Sequence, residues 1–168
     1  EFFNHRIPTL EQNLIDLNHI CINSTSAISW HDVVINEFVA SNDSLSGIAD
    51  ANNDYDDWIE IYNGGSDPIY LGDKFLSDNQ TFPDKGQLPD MSIQPGEFLI
   101  FWADNDETQG TNHTNFKLSA GGEFIGIYDD ESNNFALIDG HDFGEVEADQ
   151  SLARLPNGIG TFQIAEPT

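Results

Sequence analysis

From Val33 onward the apolar residues recur with a period of two, and no βαβ rhythm interrupts them. Side chains of an extended strand point to alternate faces, so such a pattern builds sheets with one dry and one wet surface. Val33 to Val39 is a β-rich run. In Trp58 to Tyr62 the residues Trp58, Glu60 and Tyr62 share one face, and Ile59 and Ile61 share the other. Phe98 to Ala103 is apolar at both parities, which predicts a central strand covered on both sides. Shorter candidates lie at 69–71, 74–76, 116–118, 123–128, 135–138, 151–155 and 161–164. Turn signals separate them: Gln94-Pro95-Gly96-Glu97, Ala120-Gly121-Gly122 and Pro156-Asn157-Gly158. Pro95-Gly96 has the form of a type II turn, with glycine taking the positive φ. Many short strands and glycine-rich turns predict an all-β sandwich or barrel. Two long loops remain, near 41–55 and 77–97, and loops of that length are usually functional or mobile.

Residues 1–32 read differently. Thr9 and Gln12 have capping-box spacing, and Leu10, Leu14 and Leu17 follow at helical spacing, so a short helix is expected near 10–20. The segment is expected to be an extension or linker, with Trp30 anchoring it to a domain over 33–168. The chain begins at Glu1 without methionine, as an excised part of something longer would.

Charge narrows the partners. Five Lys and Arg stand against 30 Asp and Glu, a formal net charge of −25. Phosphate-backbone binding needs clustered cations, so nucleic acid is not expected. Cationic partners or divalent ions fit better, although solubility alone would account for such a charge. The single cysteine, Cys21, cannot form an intrachain disulfide or a thiolate zinc site. No apolar run approaches the roughly 20 residues of a membrane span, so direct membrane insertion is not expected.

Several ordered pieces together resemble a known family. They are Ile35-Asn36-Glu37-Phe38, Asp57-Trp58-Ile59-Glu60-Ile61-Tyr62-Asn63, Leu71-Gly72, Phe75-Leu76-Ser77-Asp78, Pro95-Gly96-Glu97-Phe98, Trp102-Ala103-Asp104, His113 to Leu118, and Ser151 to Gly158. From about Val33 to Thr168 the chain resembles the bacterial lamin-tail domain, an immunoglobulin-like β-sandwich. The resemblance implies a non-catalytic accessory module of extracellular or cell-surface bacterial proteins, and it implies no catalytic residues. One departure stands out. The family often carries Lys-Trp after the Leu-Ser-Asp piece, whereas here Lys85 is followed by Gly86.

The candidate metal site is the acidic loop Asp50, Asn52, Asp54 and Asp56, with Asp57 adjacent. Calcium takes roughly six to eight oxygens, and alternating side chains on a bendable loop would converge on one ion. A solvated acidic loop has the same composition. Asp104 to Glu107 and Asp129 to Glu131 follow strands, where such residues either cap turns or bind cations. Glu60 sits between aromatics and must lie on an edge or accept a hydrogen bond inside. Arg154 is expected to pair with Asp57 or Glu60, or to recognise a ligand carboxylate or phosphate. Trp58 and Trp102 are expected in the core. No HExxH spacing, GxSxG elbow or phosphate-cradling loop is present.

Three functions stay open. The first is an adhesion, targeting or interaction module that binds a protein, glycan or cell-envelope ligand, with calcium as a candidate stabilising ion. The second is a structural spacer or assembly domain that pairs with neighbouring domains of the same polypeptide. The third is a metal-dependent hydrolase using loop carboxylates.

Overall fold

The computed structural model describes residues 32–43 and 47–168. The helix expected near 10–20, Cys21 and Trp30 lie outside them.

Eleven strands are described: β1 (Val33–Val39), β2 (Trp58–Asn63), β3 (Ile69–Tyr70), β4 (Phe75–Ser77), β5 (Gly86–Gln87), β6 (Ser92–Ile93), β7 (Phe98–Trp102), β8 (Phe124–Tyr128), β9 (Leu137–Asp142), β10 (Ser151–Leu155) and β11 (Thr161–Ala165). One sheet runs β11-β10-β1-β2-β7 and the other β5-β4-β8-β9, while β3 and β6 form a separate ribbon. Every pairing between these strands is antiparallel. The two sheets close over one core, in which Ile35, Phe38, Ile59, Ile61 and Phe101 meet Leu76, Ile125 and Ile127. Full burial of each such side chain contributes about 1.5–3 kcal/mol. The result is an all-β sandwich.

A bulge in β1 sets the rest. The register with β2 shifts between Ile35 and Glu37, leaving Asn36 as the extra residue. Before it Val33 and Ile35 face the core, and after it Phe38 and Ala40 do. The bulge therefore switches the strand's parity. Glu37 and Val39 are turned to the outward face, beside Trp58 and Glu60 of β2.

Three expectations are corrected. β7 is not central: it ends the five-stranded sheet, and Phe98 is exposed. Its outward apolar residues are covered only in part. Phe98 stacks on Tyr62 at 4.4 Å, and the 112–114 segment hydrogen-bonds along Trp102. The strand expected at 135–138 begins only at Leu137, because Glu131–Asn133 form a 3₁₀ turn and Asn134 and Phe135 take positive φ. Residues 116–118 form no strand, only an isolated bridge from Lys117 to Asp104.

The turns follow the glycines. Gly96 has φ +76°, and Glu97 N–H donates to Gln94 O at 3.0 Å. At Gly86, where the resemblance leads one to expect tryptophan, Phe116 fills the adjacent space and Lys85 lies 5.3 Å from its ring centre.

Candidate functional site

The sequence-predicted acids gather at one end of the five-stranded sheet, where β1 and β7 finish and β2 begins. Two connections meet there: the one from β1 to β2, and the one that follows β7. Asn42 ties the first together. Its amide group donates to Ile48 O and Asp56 O, and its backbone N–H donates to Asp57 Oδ1 at 3.2 Å. Asp50 is buried, and its Oδ1 accepts the backbone amides of Asn52 and Asp54, both at 2.8 Å. That carboxylate shapes the turn from inside. Asn52 and Asp54 are exposed, and Asp56 and Asp57 are half-buried.

The second connection packs against the first. Ala103 N–H donates to Asp57 O at 2.7 Å, and the Asn52 amide donates to Gln109 Oε1. Asp104 Oδ2 lies 2.6 Å from His113 Nδ1, and both residues are buried. Asp104 and Asp106 also cap their own turn, accepting from the backbone N–H of Asp106 and Thr108.

Electrostatics at this end are crowded. Burial pushes the Asp57 carboxyl up to about 6, against the Asn42 hydrogen bond and the nearby Lys117. Burial also raises Asp56. Asp104, Asp54 and Asp50 add to that effect, and Lys117 opposes it. Asp104, Asp54 and Asp50 thus bear on Asp56, and Asp56 on Asp57, with Lys117 opposing at both. Among the described residues no three His, Cys, Asp or Glu side chains are gathered as a bound metal would require.

Beneath the loops Trp58 and Trp102 are cross-strand partners, buried with Val39 and flanked by Ile48 and Ile100. This second apolar cluster lies on the outward face of the sheet, opposite the main core. It holds the loop end in place and leaves neither indole as an open platform.

The family model described as the lamin tail domain matches residues 26–145. The chain belongs to the lamin tail domain family. No curated protein and no solved structure matches it. The match ends before β10 and β11, yet both strands belong to the five-stranded sheet, so residues 151–165 complete the sandwich. A lamin tail domain is a non-catalytic interaction module, and this chain is one.

Two predicted site residues of this lamin tail domain stand apart from the loop end. Arg154 pairs with neither Asp57 nor Glu60. Its guanidinium binds both oxygens of Asp139 at 2.9 and 3.0 Å and covers the Phe162 ring at 4.5 Å. The strand order explains the correction: β10 is separated from β2 by β1, while Asp139 reaches in from β9 of the opposite sheet. Glu60 is hydrogen-bonded inside, accepting from Asn36 Nδ2 at 2.8 Å.

Sequence reasoning missed the Asp104–His113 contact and an open cavity of about 520 Å³ beside it. Tyr70, Gln87, Asp90, Glu107, Thr111 and His113 line that cavity, and Tyr70 Oη donates to Asp90 Oδ1 at 3.1 Å. The parallel bridge between Trp102 and His113 brings this histidine in. No spacing rule announces such a bridge.

Proposed function

We propose that this lamin tail domain serves a larger extracellular or cell-surface bacterial protein, and that its acidic loop end holds a cationic protein or cell-envelope surface. The observation that carries this reading is the crowding of Asp50, Asp54, Asp56, Asp57 and Asp104 on two mutually braced loops, with Lys117 as the opposing cation. Burial and like charge raise the free energy of Asp56 and Asp57 when ionised. A basic surface arriving there relieves both, and steers its own approach through the field of the chain. Calcium is the second part of the proposal. It would enter by drawing Asp54 and Asp56 toward Asp104, replacing their mutual repulsion with coordination.

The test is an NMR titration with a hexalysine peptide at low and moderate salt, repeated with Asp54→Asn/Asp56→Asn. Saturable, salt-sensitive shifts at residues 50–57 and 103–113 are expected, and the double variant should weaken them severalfold. Equal binding by the variant would overturn the loop-end assignment. Calorimetry with calcium after chelation tests the ion: no heat at millimolar calcium removes it from the reading.

An assembly role has one observation of its own. Among the described residues β11 ends its sheet and presents Ile164 to solvent, which leaves its outer edge for a strand from a neighbouring domain. A glycan ligand finds less support, since Tyr70 is the one exposed aromatic ring lining the large cavity.

A further inference from the structure

The β1 bulge leaves two acids facing each other where the sequence pattern has no use for them. Glu37 and Glu60 are cross-strand partners on the outward face of the five-stranded sheet. Glu37 is 1% exposed and Glu60 8%. One Glu37 oxygen accepts from the Thr168 hydroxyl at 2.6 Å, whereas the other, Oε1, is buried with no hydrogen-bond partner. Glu60 receives one bond, on Oε1 from Asn36. Beside Glu60 opens a cavity of about 250 Å³ lined by Asn36, Glu60, Phe98, Asn157 and Thr168; Glu37 is not part of that lining and reaches it only through Thr168.

The described cations are engaged elsewhere. Lys74 pairs with Asp73 and Asp129, Lys85 with Asp78, and Arg154 with Asp139, while Lys117 bears on Asp56 and Asp57. Burial raises the Glu60 pKa. The Asn36 bond opposes this and the Glu37 charge adds to it. Among the described residues no ion pair reaches either acid, an uncompensated buried acid is costly, and a positive group entering the cavity at Glu60 would compensate it.

We propose that this cavity is a socket for one arginine side chain of a partner protein. Its volume is below the roughly 300–1,000 Å³ of small-molecule sites and suits a single side chain. Phe98, 39% exposed and backed by Tyr62, offers a ring to the guanidinium plane. Glu60 offers a carboxylate to its fork, which ammonium matches less well. A metal ion fits poorly: Asn36 turns its amide N–H groups toward Glu60, and its oxygen is already taken by Gly158 N–H at 2.9 Å. The socket lies apart from the acidic loops, so either assignment stands if the other fails.

The experiment titrates the chain with acetyl-Gly-Arg-Gly-amide and follows the Asn36 side-chain amide and the backbone amides of Phe98 and Asn157. Saturable shifts are expected with arginine, weaker ones with the lysine peptide and none with citrulline. Glu60→Gln should lower arginine affinity at least about tenfold while leaving hexalysine binding at residues 50–57 unchanged. Should Glu60→Gln disturb the fold, Phe98→Ala serves instead, since its ring is partly exposed, and it must also weaken binding. The socket is overturned by unchanged affinity in the folded variant, by equal shifts with citrulline, by shifts confined to the acidic loops, or by calcium moving the same resonances in place of the peptide.

Discussion

Arg154 and Asp139 share the backbone of Ile35: arginine Nε donates to its carbonyl at 2.8 Å, and aspartate Oδ2 accepts from its amide at 2.9 Å. The bulge at Asn36 is the reason. Pairing between β1 and β10 is recorded only at Glu37 with Ala153 and Phe38 with Leu152. Ile35, on the other side of the bulge, has no ladder partner on β10, and a buried peptide group without a partner is costly. The ion pair supplies both missing bonds, and it ties the two sheets together because Asp139 belongs to β9 and Arg154 to β10.

Removing either member should therefore do more than break an ion pair. Arg154→Lys keeps the charge but loses the fork, the Ile35 carbonyl and the bond to Gly160 O. A loss of about 2–4 kcal/mol is expected in urea unfolding. Asp139→Asn should cost a similar amount, and the double variant clearly less than the sum. Strict additivity would mean that the two residues do not act as one clasp.

Much of the sandwich was legible. Ile59 and Ile61 face the core and Trp58 and Glu60 face outward, as a period of two demands. The bulge was hidden because Val34 and Val39 are apolar too, which masks the switch from Val33 and Ile35 to Phe38 and Ala40. The edge position of β7 was hidden for a related reason. Phe98 stays exposed against Tyr62, while Ile100 packs on the Trp58 cluster and a loop runs along Trp102, and a loop leaves the same apolar signature as a second layer. Asp50 shows a third limit. Alternating acids at ion-ligand spacing are also correctly spaced for turns, and nothing in the spacing tells which way the carboxylate points. The partner of Arg154 depends on which strands face across the sandwich, which no local pattern encodes.

The Trp58 cluster should support the loop end rather than the whole sandwich. Trp58→Ala removes a fully buried indole next to Trp102 and Val39, with an expected loss of about 3–5 kcal/mol. Phe82→Ala, at an exposed position, should stay within about 0.5 kcal/mol of the parent. Hydrogen exchange after the milder Trp102→Phe should quicken first at residues 50–57 and 103–114. Uniform quickening over both sheets would show that the cluster is part of the main core.

Asp50 separates a turn-forming role from an ion-binding one. Asp50→Asn keeps an oxygen for the amides of Asn52 and Asp54, and Asp50→Ala keeps none. The alanine variant should lose about 1 kcal/mol, and its 50–54 amides should exchange faster, while asparagine stays close to the parent. If asparagine proves as damaging as alanine only when calcium is present, the charge at Asp50 is serving an ion.

Asp57 gives the domain a pH dependence whose sign can be worked out. Its carboxyl titrates near 6 in the folded chain against an ordinary value of 3.8. Between those values the folded state holds a proton that the unfolded state has released, so stability falls as pH rises. The contribution is complete below the ordinary value and gone above about 6. Asp57→Asn keeps an acceptor for Asn42 N–H and cannot ionise. It should match the parent near pH 4 and exceed it by about 1–2 kcal/mol at pH 7, below the full worth of the shift because the group is partly exposed and solvent screens its charge. Urea midpoints from pH 4 to 7 would show two curves diverging upward through pH 5; parallel curves would mean that the carboxyl is not strained. Adding the hexalysine peptide at pH 7 should close part of that gap, because the parent alone gains from pairing the ionised Asp57 with a cation.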